Sequence, residues 1–146
     1  SKQRKMTGVK GWVVAQDLDG KSQQIYRDEK TGISCKPDVV ERGRIVEYKS
    51  AAVNGRARQS DVLQVAAQMI ATKANTAELR YGNDQRFTYG KNSPQMQTAM
   101  KSIGEIIRKM QWHLCNRAIP QGKPSARKCA VCCFKRDCPE ADRGYH

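Results

Sequence analysis

The sequence predicts an α/β fold in which a central mixed β-sheet is flanked by helices. Three observations predict it. Short extended runs separated by turn residues fill most of the first fifty positions, a stretch of helical period follows from Ser60, and alternating segments then return ahead of a longer helical stretch from Pro94. The chain has 146 residues, of which 38% are hydrophobic, enough for one core with little to spare. The expected organisation is therefore a single domain over 1–146, with a core over about 11–116 and a cysteine-rich tail over about 117–146.

Each element has a local reason. After a polar, basic lead, Gly11-Trp12-Val13-Val14 is a short strand candidate, and residues 17–24 (DLDGKSQQ) supply turn formers. Residues 24–29 (QIYRDE) form a second extended run that ends at Lys30-Thr31-Gly32. Ile33 to Val40 and Arg44 to Ser50 are two further runs joined by Glu41-Arg42-Gly43, with glycine where a hairpin needs it, so a meander is expected. Ser60 or Asp61 can cap a helix over 60–73, on which Leu63, Ala66, Ala67 and Ile70 recur at helical spacing. Residues 77–81 (AELRY) and 85–89 (QRFTY) alternate around Gly82-Asn83-Asp84 and predict a hairpin or a strand that joins the sheet. Ser93 then caps and Pro94 opens a long helix whose stripe of Met96, Met100, Ile103, Ile107, Met110 and Leu114 reads as core. Two prolines and a glycine beyond Arg117 end it.

Lys and Arg total 27 against 14 acidic residues, a formal charge of +13 spread along the chain, which points to a polyanionic partner, nucleic acid first. No run approaches the roughly 18 apolar residues of a membrane span, and the basic start leads into no signal-peptide core. An intracellular, cytoplasmic protein with no membrane partner is expected. In a reducing compartment the six cysteines are metal ligands or thiols before they are disulfides.

Strand alternation puts Glu47 and Lys49 on one side and Val46 and Tyr48 on the other. With a turn at 41–43, Asp38 comes nearly opposite Glu47, where one divalent cation can make the two carboxylates compatible. Such an ion polarises a phosphodiester and acidifies a bound water, while Lys49 orients that water or offsets phosphate charge. Oxygen ligands favour magnesium or manganese over zinc. The plainer alternative is a solvated hairpin face carrying a salt bridge. Arg56 and Arg58, in the loop after Lys49, are placed to hold flanking phosphates. Aromatic residues make up only 6% of the chain, too few for an extended base-stacking platform.

Cys129, Cys132 and Cys138 form Cys-x2-Cys-x5-Cys, a spacing suited to a soft metal centre, either zinc or an iron–sulfur cluster. Cys115 is the preferred fourth ligand and Cys133 the second choice, with His113 and His146 as further candidates; Cys35 reads as a packed thiol.

Pro37-Asp38, Glu47-Tyr48-Lys49 and Gln64 on the following helix together resemble the PD-(D/E)XK nuclease superfamily, specifically its RecB-like branch. The tail from Pro120 to Glu140 resembles that of the CRISPR-associated protein four family, and the resemblance covers roughly residues 30–140. It implies a restriction-endonuclease-like core in which Asp38 and Glu47 ligate the metal, the Tyr48 carbonyl completes its shell, Lys49 assists the attacking water and Gln64 binds substrate or positions the lysine. It implies a [4Fe-4S] cluster, with zinc as the alternative, closing the tail. It also implies DNA exonuclease activity on single strands or ends, in CRISPR adaptation beside integrase proteins or in viral or phage DNA processing. The branch usually has an aromatic residue four places after the glutamine, where this chain has Gln68, and a cysteine earlier than any here. The rival expectations are a nucleic-acid-binding module that cuts nothing and a zinc-ribbon adaptor.

Overall fold

The computed structural model describes residues 13–16, 24–118, 125–133 and 135–138. In order along the chain stand β1 (Val13–Gln16), β2 (Tyr26–Arg27), β3 (Ser34–Cys35), β4 (Val39–Glu41), β5 (Arg44–Lys49), α1 (Gln59–Thr72), β6 (Thr76–Tyr81), β7 (Arg86–Gly90), α2 (Pro94–Cys115) and α3 (Ala126–Ala130), followed by a 3-10 turn at Lys135–Asp137. The fold is mixed α/β. The chain divides into two compact units, 1–108 and 109–146, and the boundary falls inside α2, earlier than the 116/117 division read from the sequence.

Five strands form one sheet in the order β1-β4-β5-β6-β7, while β2 and β3 pair as a separate ribbon. The sheet is mixed, because β4 and β5 are antiparallel, β5 and β6 parallel, and β6 and β7 antiparallel. Parallel pairing of β5 with β6 requires a crossover, and α1 supplies it. The β4–β5 turn is tighter than expected: Glu41 pairs with Arg44, leaving Arg42 and Gly43 to turn, with Gly43 at φ 76. The extended run expected over 33–40 splits into β3 and β4 around Lys36-Pro37, since Pro37 has no N–H to donate to a ladder. The run expected over 24–29 shortens to two residues. There Asp28 takes over the turn: its Oδ2 accepts from the Thr31 amide at 2.9 Å and the Thr31 hydroxyl at 2.6 Å, and its Oδ1 accepts from Lys73.

One sheet face carries the main core. Val40, Ile45, Ala77, Leu79 and Tyr89 meet Val62, Val65, Ala66 and Met69 of α1 and Met96 and Ala99 of α2. Of the expected stripe Leu63, Ala66, Ala67 and Ile70, Ala66 is buried but the other three are only half-buried, since Val62, Val65 and Met69 face the sheet instead. Neither Ser60 nor Asp61 caps α1; Arg58 is the N-cap residue and offers no side-chain bond. On α2, Ser93 does accept from the Met96 amide, at 3.4 Å. The methionine stripe is core only in its first half: Met96 is buried, Met100 and Ile103 pack on the core, but Met110 and Leu114 are 58% and 76% exposed.

The reverse face combines a small apolar cluster of Val39, Val46 and Tyr48 with buried charge. Glu78 pairs with both Arg44 and Arg80, whose Nη1 donates to the Tyr48 hydroxyl at 3.2 Å. The Arg80 guanidinium also lies 5.6 Å from the Tyr48 ring centroid, a cation–π contact.

Candidate active site

Register places the two acids together. Val39 pairs with Val46, so Asp38, one step further out, stands opposite Glu47 on the face that α1 covers. Pro37 is buried and directs the chain into this position. Asp38 Oδ2 accepts a 2.7 Å hydrogen bond from the Tyr48 amide, tying the aspartate to the strand that carries Glu47 and Lys49.

Glu47 is 6% exposed, and α1 fixes its carboxylate. Its Oε1 accepts from Gln64 Nε2 at 2.6 Å and from Lys49 Nζ at 3.1 Å; its Oε2 accepts from Gln68 Nε2 at 2.8 Å. Lys49 Nζ donates in addition to Gln64 Oε1 at 2.6 Å and stands 4.0 Å from Asp61 Oδ1. Asp61 Oδ2 in turn accepts from the Tyr81 hydroxyl at 2.7 Å, and the hydroxyl oxygen accepts from the Arg58 amide at 3.1 Å. Burial, and then the Asp61 carboxylate, push the Tyr81 phenol above its ordinary value, so it remains the donor in that contact. Cys35 borders the same carboxylate: burial first and the Glu47 charge second push its thiol up to about 11, which keeps it protonated.

The structure thus brings Asp38, Glu47, Lys49 and Gln64 to one place, and adds Asp61, Gln68 and Tyr81. From sequence Asp61 is a possible helix cap and Gln68 has no assigned role. Positions 61, 64 and 68 are spaced i, i+3, i+7 and are the polar residues of the otherwise apolar stretch 61–71; that pattern is the signal that marks them. Arg58 contributes its amide here while its side chain is exposed; Arg56 lies further along the loop, also exposed.

Two carboxylates facing each other across a strand pair, beside the Tyr48 main chain, fit a hard cation of the magnesium type, which takes one or two carboxylates and keeps several waters. Among the described residues no three His, Cys, Asp or Glu side chains form a group that could hold a metal on their own, so water or phosphate oxygens have to supply the remaining ligands at this site. The same finding applies to Cys115, Cys129, Cys132 and Cys138, which are not gathered into a ligand set. Ser125 caps α3 by accepting from the Lys128 amide at 3.3 Å, and main-chain bonds from Cys132 to Cys129, Lys135 to Cys132 and Cys138 to Lys135 step through the motif in three-residue turns. Their thiolate chemistry suits zinc or an iron–sulfur cluster, but the geometry does not assemble one. Cys133 is exposed, His113 donates or accepts through Nδ1 with the Ala118 carbonyl at 3.0 Å, and His146 lies outside the described residues.

No described helix is long and apolar enough to cross a membrane. No family model matches the chain, and no curated protein matches it.

Proposed function

We propose that the chain is a metal-dependent deoxyribonuclease of the RecB-like PD-(D/E)XK kind, acting on single-stranded DNA or DNA ends. The observation that carries the reading is the convergence of Asp38, Glu47, Lys49 and Gln64 from three elements onto one face of β4 and β5, each with a defined partner. A salt bridge on a solvated hairpin needs none of that organisation. The mixed sheet with a β5–α1–β6 crossover is compatible with a restriction-endonuclease-like core.

Asp38, Glu47 and the Tyr48 carbonyl would hold magnesium or manganese, which when bound polarises the scissile phosphate and lowers the pKa of a coordinated water. The chain's own residues do the rest. Gln64 and Gln68, one turn apart on α1, each hold one oxygen of Glu47, so the carboxylate cannot rotate away. Lys49 is the only cation within ion-pair distance of Glu47 among the described residues, and its ammonium orients the attacking water and offsets the charge that builds on the phosphate. Asp61, anchored by Tyr81, faces that ammonium from 4.0 Å. No step depends on the cysteine tail, whose metal, iron–sulfur or zinc, would be structural.

The test is cleavage of labelled single strands with manganese, comparing wild type with Asp38→Ala and Lys49→Ala. Cutting that both substitutions abolish, with binding retained, supports the reading. Intact DNA with all three proteins, each still binding it, makes the chain a binding module.

A further inference from the structure

A second feature of the first unit is a cleft of about 740 Å³ along the outer edge of β7. Arg86, Phe87, Thr88 and Tyr89 all line it. Register turns Phe87 and Tyr89 toward the core face, opposite Leu79 and Ala77, and Arg86 and Thr88 toward the reverse face, opposite Arg80 and Glu78. Four consecutive residues from both faces can line one cleft only if it follows the strand edge, and β7 is one of the two edge strands of the sheet among the described residues. The loop carrying Arg56 forms one wall, and Ser93-Pro94-Gln95 at the start of α2 closes the other end.

Three properties define what the cleft accepts. First, among the described residues its charge is unopposed: no acidic side chain lines it, and Arg56 and Arg86 are exposed and held in no ion pair. Arginines left without a carboxylate on a chain of +13 select an anion with phosphate geometry. Second, the partly exposed Phe87 ring offers a surface on which a base can rest, and such a contact tolerates any sequence. Third, the cleft connects to the active site by direct contacts. Phe87 meets Tyr81 edge to face at 5.8 Å, Tyr81 holds Asp61, and Asp61 faces Lys49.

We infer that this cleft is the track for a single strand of nucleic acid beside the scissile phosphate, with Arg56 and Arg86 gripping its backbone and Phe87 supporting a base. The assignment rests on the nuclease reading for its purpose but not for its test. An elongated groove at a strand edge also has the shape of a peptide site, yet two unopposed guanidinium groups favour the polyanion.

The experiment is fluorescence anisotropy with a fluorescein-labelled oligothymidylate in EDTA, so that cutting plays no part, across a salt series. Arg56→Glu/Arg86→Glu is compared with wild type and with Arg42→Glu/Lys101→Glu, an equal charge change at exposed positions outside the cleft. The cleft pair should weaken binding about tenfold beyond the control pair and reduce the slope of log K against log salt by about 2, one per phosphate contact. Phe87→Leu, which keeps the apolar packing, should weaken it about fivefold with no change in slope. Equal affinity of the cleft and control pairs, in proteins with wild-type melting temperatures, overturns the inference. If Asp38-dependent cutting is absent but the cleft pair loses affinity, the nuclease reading fails and the strand track stands; if cutting is present and the cleft pair binds like the control pair, the reverse holds.

Discussion

Gln68 Nε2 donates to Oε2 of Glu47 at 2.8 Å, in a position where both residues are almost wholly buried, while the amide oxygen of Gln68 has no hydrogen-bond partner among the described residues. A helix that places an amide against the sheet at the cost of an unsatisfied oxygen does so for the carboxylate it holds. Gln68→Met preserves the volume and removes the donor. Stability should fall by about 1–2 kcal/mol, since the lost donor leaves a buried oxygen of Glu47 bare while the orphaned amide oxygen disappears with it. Urea denaturation measures that, and cleavage should fall further than strand binding because the metal ligand is no longer fixed.

Gly82 is required where β6 ends beside the active-site strand. A Cβ there would lie 2.5 Å from the Ser50 carbonyl oxygen, a backbone atom that cannot swing aside, and the Gly82 amide donates to the Ala51 carbonyl at 3.1 Å. Gly82→Ala should cost about 1–3 kcal/mol and displace the end of β5 that carries Lys49. Thermal melts detect the first effect; a drop in kcat with little change in KM detects the second.

Asp28 makes stability pH-dependent. The hydrogen bonds from Lys73 first and Thr31 next hold its carboxyl down to about 2, below its ordinary value of 3.8. A depressed folded-state value adds stability that is complete above the ordinary value and disappears as pH falls toward the folded one. Between about pH 5 and pH 2 the wild type should therefore lose more stability than Asp28→Asn, which has no proton to take up. Parallel urea curves with the same dependence on pH would refute this.

The reverse face tests the buried charges. Glu78→Leu removes the carboxylate that Arg80 shares with Arg44, which keeps Glu41 at 3.8 Å, and should cost roughly 3 kcal/mol, the lower end of the usual range because Arg44 is partly exposed and retains that second acid. Adding Arg80→Leu should recover part of the loss, because an apolar pair replaces a broken ionic one. A double mutant less stable than Glu78→Leu would contradict that account.

Much of the site was legible because strand geometry is strict. A period of two and a short turn suffice to put Asp38 opposite Glu47 and Lys49 beside it, and one helix later Gln64 arrives by connectivity alone. Asp61 and Gln68 were harder, since each has a plausible local role, as cap and as helix former, and only the phase of α1 shows which way they face. The sequence leaves that phase ambiguous because Leu63 and Ile70 are as apolar as Val62 and Met69. Tyr81 was invisible for a different reason: its link to Asp61 spans twenty positions and depends on β6 pairing with β5 in parallel. The outer half of α2 reads as core by period, but a helical pattern alone does not state which of its apolar residues find a partner, and Met110 and Leu114 are exposed.

The most direct measurement is manganese binding followed by electron paramagnetic resonance, in wild type, Asp38→Ala and Glu47→Ala. The account predicts one site in the wild type, lost or weakened at least tenfold in each variant, with Lys49→Ala retaining it. Equal manganese binding by all four proteins would contradict the claim that these two carboxylates share one hard cation.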